Sequence, residues 1–204
     1  MFRRLGLILA LATFCFIWPA KLRPSDDATG QLLGGTLSSP IRIEVFSDFQ
    51  CSACREFYLS TVRQVLQEYC SKDKVCIIYH EFPLSIHRYS REAAKYAEAA
   101  AHLGGQRLLS VMDSLFMDQA QWSQDGKVEV SVAKALSPED FLKLKKIMQD
   151  SSLDQTIDKE TQLAIKNEVK STPTMIITYP GKRQKVEGIV TYLVLKQFID
   201  TVLK

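Results

Sequence analysis

Cys51 and Cys54 stand two residues apart in the stretch SDFQCSACREF, residues 47–57. Thiols at this spacing suit three kinds of chemistry: gripping a metal ion, closing a small crosslink, or trading electrons with other thiols. A structural zinc site wants four ligands, and this pair supplies two. A second pair, Cys70 and Cys76, has five residues between its members. It lies beyond a helical stretch of about 19 residues, roughly 28 Å away at 1.5 Å per residue, so the pairs cannot share an ion while that helix is intact. A purely structural Cys51–Cys54 bridge closes so short a loop that it adds little stability. Electron exchange fits best. The thiolate is the reactive form, and an ordinary thiol is mostly protonated at neutral pH. At the start of a helix, unpaired N–H groups and the positive end of the dipole stabilise the anion. The spacing predicts Cys51 as an exposed nucleophile. Cys54, one turn along, is predicted as the buried thiol that resolves a mixed disulfide.

Placing Cys51 there demands a strand that ends just before it and a helix that begins at it. IRIEVFSDF, residues 41–49, is β-branched and aromatic and reads as that strand. From Ser52 the pattern changes: Cys54, Phe57, Tyr58, Val62, Val65, Leu66 and Tyr69 recur at helical spacing, so the predicted helix runs to near Cys70. SKDK is a polar turn and VCIIYHEFPL a second strand. A short β–α–β connection implies parallel neighbours and a right-handed crossover. Residues 85–166 read as a helical insert, with REAAKYAEAAAHL, a break at Gly104–Gly105, and QRLLSVMDSLFMDQ. SPEDFLKLKKIM follows, with Ser137 as a cap and Pro138 in the first turn, and then SLDQTIDKETQLAIKNEVK. TPTMIITYP and KRQKVEGIV form a hairpin candidate, and TYLVLKQFIDTVLK closes the chain as an amphipathic helix.

The 204 residues, 46% of them hydrophobic, suit one domain with a real core. The net charge is +3, and Arg3 and Arg4 supply two of those charges, so nothing points to nucleic acid. Two arginines followed by an apolar run from Leu5 to Ala20 have the layout of an export signal. Trp18 stands where a cleavage site wants a small residue, so residues 1–20 are expected to be either a signal peptide or a membrane anchor. Cys15 reads as part of that signal. Residues 21–40, rich in Gly, Ser, Pro and Asp, read as a linker or irregular lead-in, and a linker over 21–36 is expected ahead of a domain spanning 37–204. Four cysteines past the signal make an even count, which in an exported chain suggests disulfides. Cys70 and Cys76 flank a polar turn and are expected to form a permanent disulfide clamp.

STPTMII places Pro173 at the head of a strand, where proline is tolerated and can be cis. Taken together, FSDFQCSACREF, EFPLSIHRYSREAAKYAEAA and STPTMII resemble the thioredoxin superfamily, specifically its DsbA-like branch of exported thiol–disulfide oxidoreductases. The resemblance covers roughly residues 37–204. It implies an α/β, thioredoxin-like fold with an inserted helical subdomain over about 85–166. It also implies that a cis Pro173 and Thr172 face Cys51, with the Thr172 backbone holding an extended substrate segment by strand addition. Two departures stand out. Ser52 and Ala53 separate the cysteines, with no histidine to stabilise the thiolate, so a less extreme lowering of the Cys51 pKa is expected. Many relatives carry a buried acid six residues before the nucleophile, where it can relay protons; here that residue is Val45, and strand alternation turns Glu44 to the opposite face, so Glu44 reads as a solvated or core-edge carboxylate, with proton relay as the alternative.

Among the other polar candidates, Asp48 reads as a turn or cap acceptor, with electrostatic tuning of the cysteine as the alternative. Arg55 reads as a solvated helix arginine or a partner for the thiolate. His80 and His87 lack any metal-binding pattern and read as ordinary polar residues. Phe116 and Trp122 are expected to pack the insert. The resemblance implies thiol–disulfide exchange on unfolded or reduced exported proteins, in the periplasm or at the extracytoplasmic face of the membrane. A membrane redox partner would reset the pair. No cofactor or metal is called for, since the disulfide itself carries two electrons. The oxidising direction is favoured because no dimerisation arm is evident. Reductase or isomerase activity, or a non-enzymatic metal chaperone or holdase on the same fold, are the alternatives.

Overall fold

The run IRIEVFS becomes strand β2 (Ile41–Ser47), the centre of a five-stranded sheet, in a computed structural model that describes residues 30–204. Alternation along β2 sends Ile41, Ile43 and Val45 into the larger core and leaves Arg42, Glu44 and Phe46 on the opposite face. Strand β3 (Val75–Glu81) is buried throughout and runs parallel to β2, from Ile41 opposite Val75 to Ser47 opposite Glu81. On the other side of β2 lies the antiparallel β4 (Thr174–Tyr179). A turn at Pro180 and Gly181, the latter at φ +72°, folds β5 (Lys182–Glu187) back onto β4. Lysines and an arginine along β5 guard this exposed edge against pairing with other chains.

A short strand, β1 (Gln31–Gly34), pairs antiparallel with the outer side of β3 and completes the order β1–β3–β2–β4–β5. This corrects the expectation of a linker through residue 36. The glycines that suggested a tether mark close approach instead. A Cβ on Gly34 would lie 2.9 Å from Leu66, and one on Gly35, at φ +76°, would lie 2.1 Å from the Val75 carbonyl oxygen. The expected signal or anchor at residues 1–20, and the linker up to residue 29, lie outside the described residues.

Between β2 and β3 the chain is helical from Ser52 to Glu68, but not uniformly so. Helix α1 (Ser52–Phe57) and helix α2 (Arg63–Glu68) flank a π-helical turn at Tyr58–Val62. There Thr61 donates to the Val190 carbonyl at 2.8 Å, tying the widened turn to the segment before the last helix. The insert comprises α3 (Ser90–Ala101), α4 (Gly105–Met117), α5 (Gln119–Asp125), α6 (Val128–Ala135), α7 (Pro138–Ile147) and α8 (Ser152–Lys166). The expected cap of α7 is present, the Asp140 N–H donating to the Ser137 hydroxyl at 3.1 Å. The chain ends in α9 (Tyr192–Val202). Phe116 and Trp122 are fully buried, and the Trp122 indole N–H reaches the Leu115 carbonyl at 2.7 Å. Helices α1 to α9 all contribute to one core on one face of the sheet, α7 through Leu144 and α8 through Leu153. On the other face, Ala164 of α8 and nearby Val169 pack against Phe46 and Ile176.

Cys70 and Cys76, expected to form a disulfide clamp, are both buried, and each is a free cysteine in this structure. Val75 and Ile77 point into the core that holds Cys70, so alternation along β3 turns Cys76 to the face shared by Arg42 and Glu44. Burial pushes the Cys70 thiol up to about 12 and raises that of Cys76 as well, which leaves both unreactive.

Candidate active site

Strand β2 ends at Ser47, and a turn through Asp48, Phe49 and Gln50 delivers Cys51 to the N-cap of α1. The Cys51 backbone is still extended, its N–H bonded to the Asp48 carbonyl at 3.1 Å, while its own carbonyl accepts the first helical bond from Arg55 N–H at 3.1 Å. No acid stands in the first turn of α1 to repel an anion. Cys51 is partly exposed; Cys54 is completely buried in the core. The Thr172–Pro173 peptide is cis, and the Cys51 Sγ lies 3.5 Å from the Thr172 carbonyl oxygen. The fold thus brings together the four residues Cys51, Cys54, Thr172 and Pro173 from the two ends of the domain.

The two sulfurs hold their protons in opposite ways. The Cys51 thiol is pulled down to about 5, chiefly by a hydrogen bond from the Cys54 thiol, then by Thr172 and the N–H groups of Cys54 and Ala53, against the opposing effect of burial. Cys54 is raised well above the ordinary thiol range, first by burial and then by the neighbouring Cys51. The value for Cys51 lies between the roughly 7 of thioredoxin and the roughly 3.5 of the strongest oxidant of this chemistry. A thiolate therefore waits at the surface with a protonated thiol behind it, the arrangement needed to attack a disulfide and then resolve the product.

Asp48 is a structural acceptor, as the sequence suggests. Completely buried, it takes hydrogen bonds from Gln50 N–H and Leu84 N–H, each at 2.7 Å, from the Ser90 hydroxyl, and from His87 Nδ1 at 2.8 Å. It locks the Cys51 turn to the start of the insert. His80 is separate from His87: it stacks on Phe46 at 4.7 Å on the opposite sheet face, with Glu44 3.6 Å away. Glu44 therefore points away from the cysteines, as alternation predicts. Arg55 serves neither expected role, since its Nε donates to the Phe116 carbonyl at 2.9 Å and joins α1 to α4. Sequence reasoning missed Gln119. Its side-chain amide donates to the Phe49 carbonyl at 2.6 Å and the Cys51 carbonyl at 2.9 Å, clamping the turn from the insert. With 68 residues separating it from Cys51, no local pattern announces that contact.

A family model described as Thioredoxin matches residues 27–201. The probable disulfide bond formation protein D of Bacillus cereus is 25% identical over 154 residues, which span 74% of this chain and 70% of that protein. Among solved structures, alpha-DsbA1 of Wolbachia pipientis superposes with a TM-score of 0.71 at 17% identity, covering 89% of this chain and 93% of its own. Oxidised BdbD of Bacillus subtilis gives 0.69 at 18% identity, covering 86% and 93%. At these identities the solved structures establish a shared fold, sheet and inserted helices included.

Proposed function

The chain belongs to the thioredoxin family, and from that premise we propose that it is a DsbA-like, extracytoplasmic thiol–disulfide oxidoreductase that introduces disulfides into exported proteins. The observation that carries this reading is the pairing of a partly exposed, anion-stabilised Cys51 with a buried, protonated Cys54 one turn away. In the oxidised enzyme a substrate thiolate attacks the Cys51 sulfur and Cys54 leaves. A second substrate thiolate then displaces Cys51, whose anion is the stable species, so release is favourable. Stabilising the reduced form in this way makes the disulfide a better oxidant, which supports the oxidising direction. The Thr172 backbone, at the head of β4 and beside Cys51, is placed to pair with an extended substrate segment, and Pro173 shapes that edge.

In the same reading residues 1–20 export or anchor the chain, residues 37–204 with the insert at about 85–166 do the chemistry, and a membrane redox partner reoxidises the pair. Equilibration of the Cys51–Cys54 pair with glutathione tests the direction. A potential more positive than about −200 mV supports disulfide donation; a thioredoxin-like value near −270 mV would assign reduction instead. Full activity in a Cys51→Ser variant would favour a non-enzymatic binder.

A further inference from the structure

Each residue of the turn that presents Cys51 is held by the insert or by the segment leading into it. Asp48 takes bonds from Leu84 N–H, His87 and Ser90. The Gln50 side chain accepts the Tyr89 N–H at 2.8 Å, and its amide nitrogen lies 3.5 Å from the Ser123 carbonyl. The Gln119 amide donates to both the Phe49 and the Cys51 carbonyls, at 2.6 and 2.9 Å. Those carbonyls flank Gln50, so one amide group spans the residue before the nucleophile. Phe49 is completely buried, and Gln119 is the sole hydrogen-bond partner of its carbonyl among the described residues. A buried carbonyl left without a donor is costly, so the turn keeps this shape only while Gln119 is in place.

Gln119 is aimed by the packing of the insert. It opens α5 and is 6% exposed. Asp118, just before it, accepts from the Ser131 hydroxyl at 3.0 Å and from Lys134 Nζ at 2.8 Å, both on α6. Trp122, one turn on, is fully buried and tied to the Leu115 carbonyl of α4. Three insert helices thus fix the amide before it reaches the turn. On the other side of that contact, Cys51 holds an extended backbone, φ −76° and ψ 122°, as an N-cap residue does. In this pose the N–H groups of Ala53 and Cys54 meet its sulfur. Rotation of the 49–51 backbone would carry the sulfur away from those donors.

Resting on the exchange reading above, we propose that Gln119 is a positioning residue for Cys51: by holding the carbonyls on either side of Gln50 it keeps the sulfur against the first N–H groups of α1, so the seating of the insert governs how readily Cys51 attacks or leaves. Cys54 lies behind the nucleophile on α1, and Thr172 faces it from before β4 without a charge. The Asp48 carboxylate is turned into the insert and bound by four donors. Arg55 on α1 is bound to the Phe116 carbonyl. Asp118 is held low chiefly by the Lys134 hydrogen bond and faces α6. Both hydrogen bonds of the Gln119 amide nitrogen go to backbone carbonyls. Removing that amide therefore changes no charge and acts on Cys51 through the backbone it grips.

Gln119→Met keeps the size and removes both bonds. In the fully reduced variant the midpoint of Cys51 thiolate absorbance should rise by about one pH unit, the scale of one hydrogen bond. Attack of reduced Cys51 on oxidised glutathione should slow several-fold at pH 5. At pH 9, where the sulfur is ionised in both proteins, the variant should be no slower than wild type. Gln119→Asn keeps a donor on a shorter arm and should fall between the two; it carries the test if Gln119→Met does not fold. Ser114→Ala cuts a different tie inside the insert, from α4 to the Ser131 carbonyl at 2.6 Å. It should lower the denaturation midpoint and leave the Cys51 titration where it is. An unmoved Cys51 midpoint in the Gln119 variants would overturn the inference, and so would an equal slowing at pH 5 and pH 9, which marks a general loss of structure. A wild-type protein inert toward glutathione would contradict the exchange reading, while the thiolate titration would still decide the role of Gln119.

Discussion

Cys51 and Cys54 differ because α1 begins between them. Cys51 is the N-cap, where side-chain and backbone donors converge on an anion; Cys54 is a turn deeper, where burial penalises one. That division of labour was legible from two cysteines, a preceding strand and the helical spacing that follows. The polarity of the surrounding set was legible only in part: Asp48 read correctly as a turn acceptor, but three of its four partners, Leu84, His87 and Ser90, come from around the start of the insert. If the roles are as assigned, Cys54→Ser should trap mixed disulfides between Cys51 and substrate, visible as covalent adducts on non-reducing gels. Cys51→Ser should trap none. Equal trapping by both variants would mean that either sulfur can be attacked.

At the scale of elements, what the sequence conveyed was periodicity and what it concealed was contact. The strands β2, β3 and β4 and the capped α7 follow from alternation and capping signals in single stretches. The strand β1 was hidden because the glycines beside it look like a tether, whereas their purpose is to let the backbone press against β3 and α2. The π-helical turn at Tyr58–Val62 carries no proline or glycine to announce it, and it sits where Thr61 reaches Val190, 129 residues on. Strand alternation in β3 also sets the surroundings of Cys76: Val75 and Ile77 face one way, so Cys76 faces the other. Gly35→Ala should destabilise the protein by more than about 1 kcal/mol, since it adds a clash with the Val75 carbonyl to the ordinary cost of a left-handed backbone. Chemical denaturation of the oxidised protein measures this, and an unchanged midpoint would show that β1 does not press on β3.

The whole molecule links redox state to stability through one ionisation. In the reduced protein Cys51 titrates near 5 when folded, against about 8.5 when unfolded. A group depressed on folding contributes stability that is complete above its unfolded pKa and is lost as the pH falls through its folded one. The oxidised protein has no such thiolate. The stability of the reduced form relative to the oxidised form should therefore rise from pH 5 to about 8.5 and be flat below 5, which paired melting curves across that range will show. A difference that does not change with pH would mean that folding leaves the Cys51 thiol as it is in the unfolded chain.

The most direct measurement is the ultraviolet absorbance of thiolate in the fully reduced protein as the pH is raised. One thiolate should appear with a midpoint near 5 and vanish in Cys51→Ser, while burial keeps Cys54, Cys70 and Cys76 protonated after Cys51 has ionised. A midpoint for Cys51 near the ordinary 8.5, or Cys54 ionising alongside it, would contradict the account.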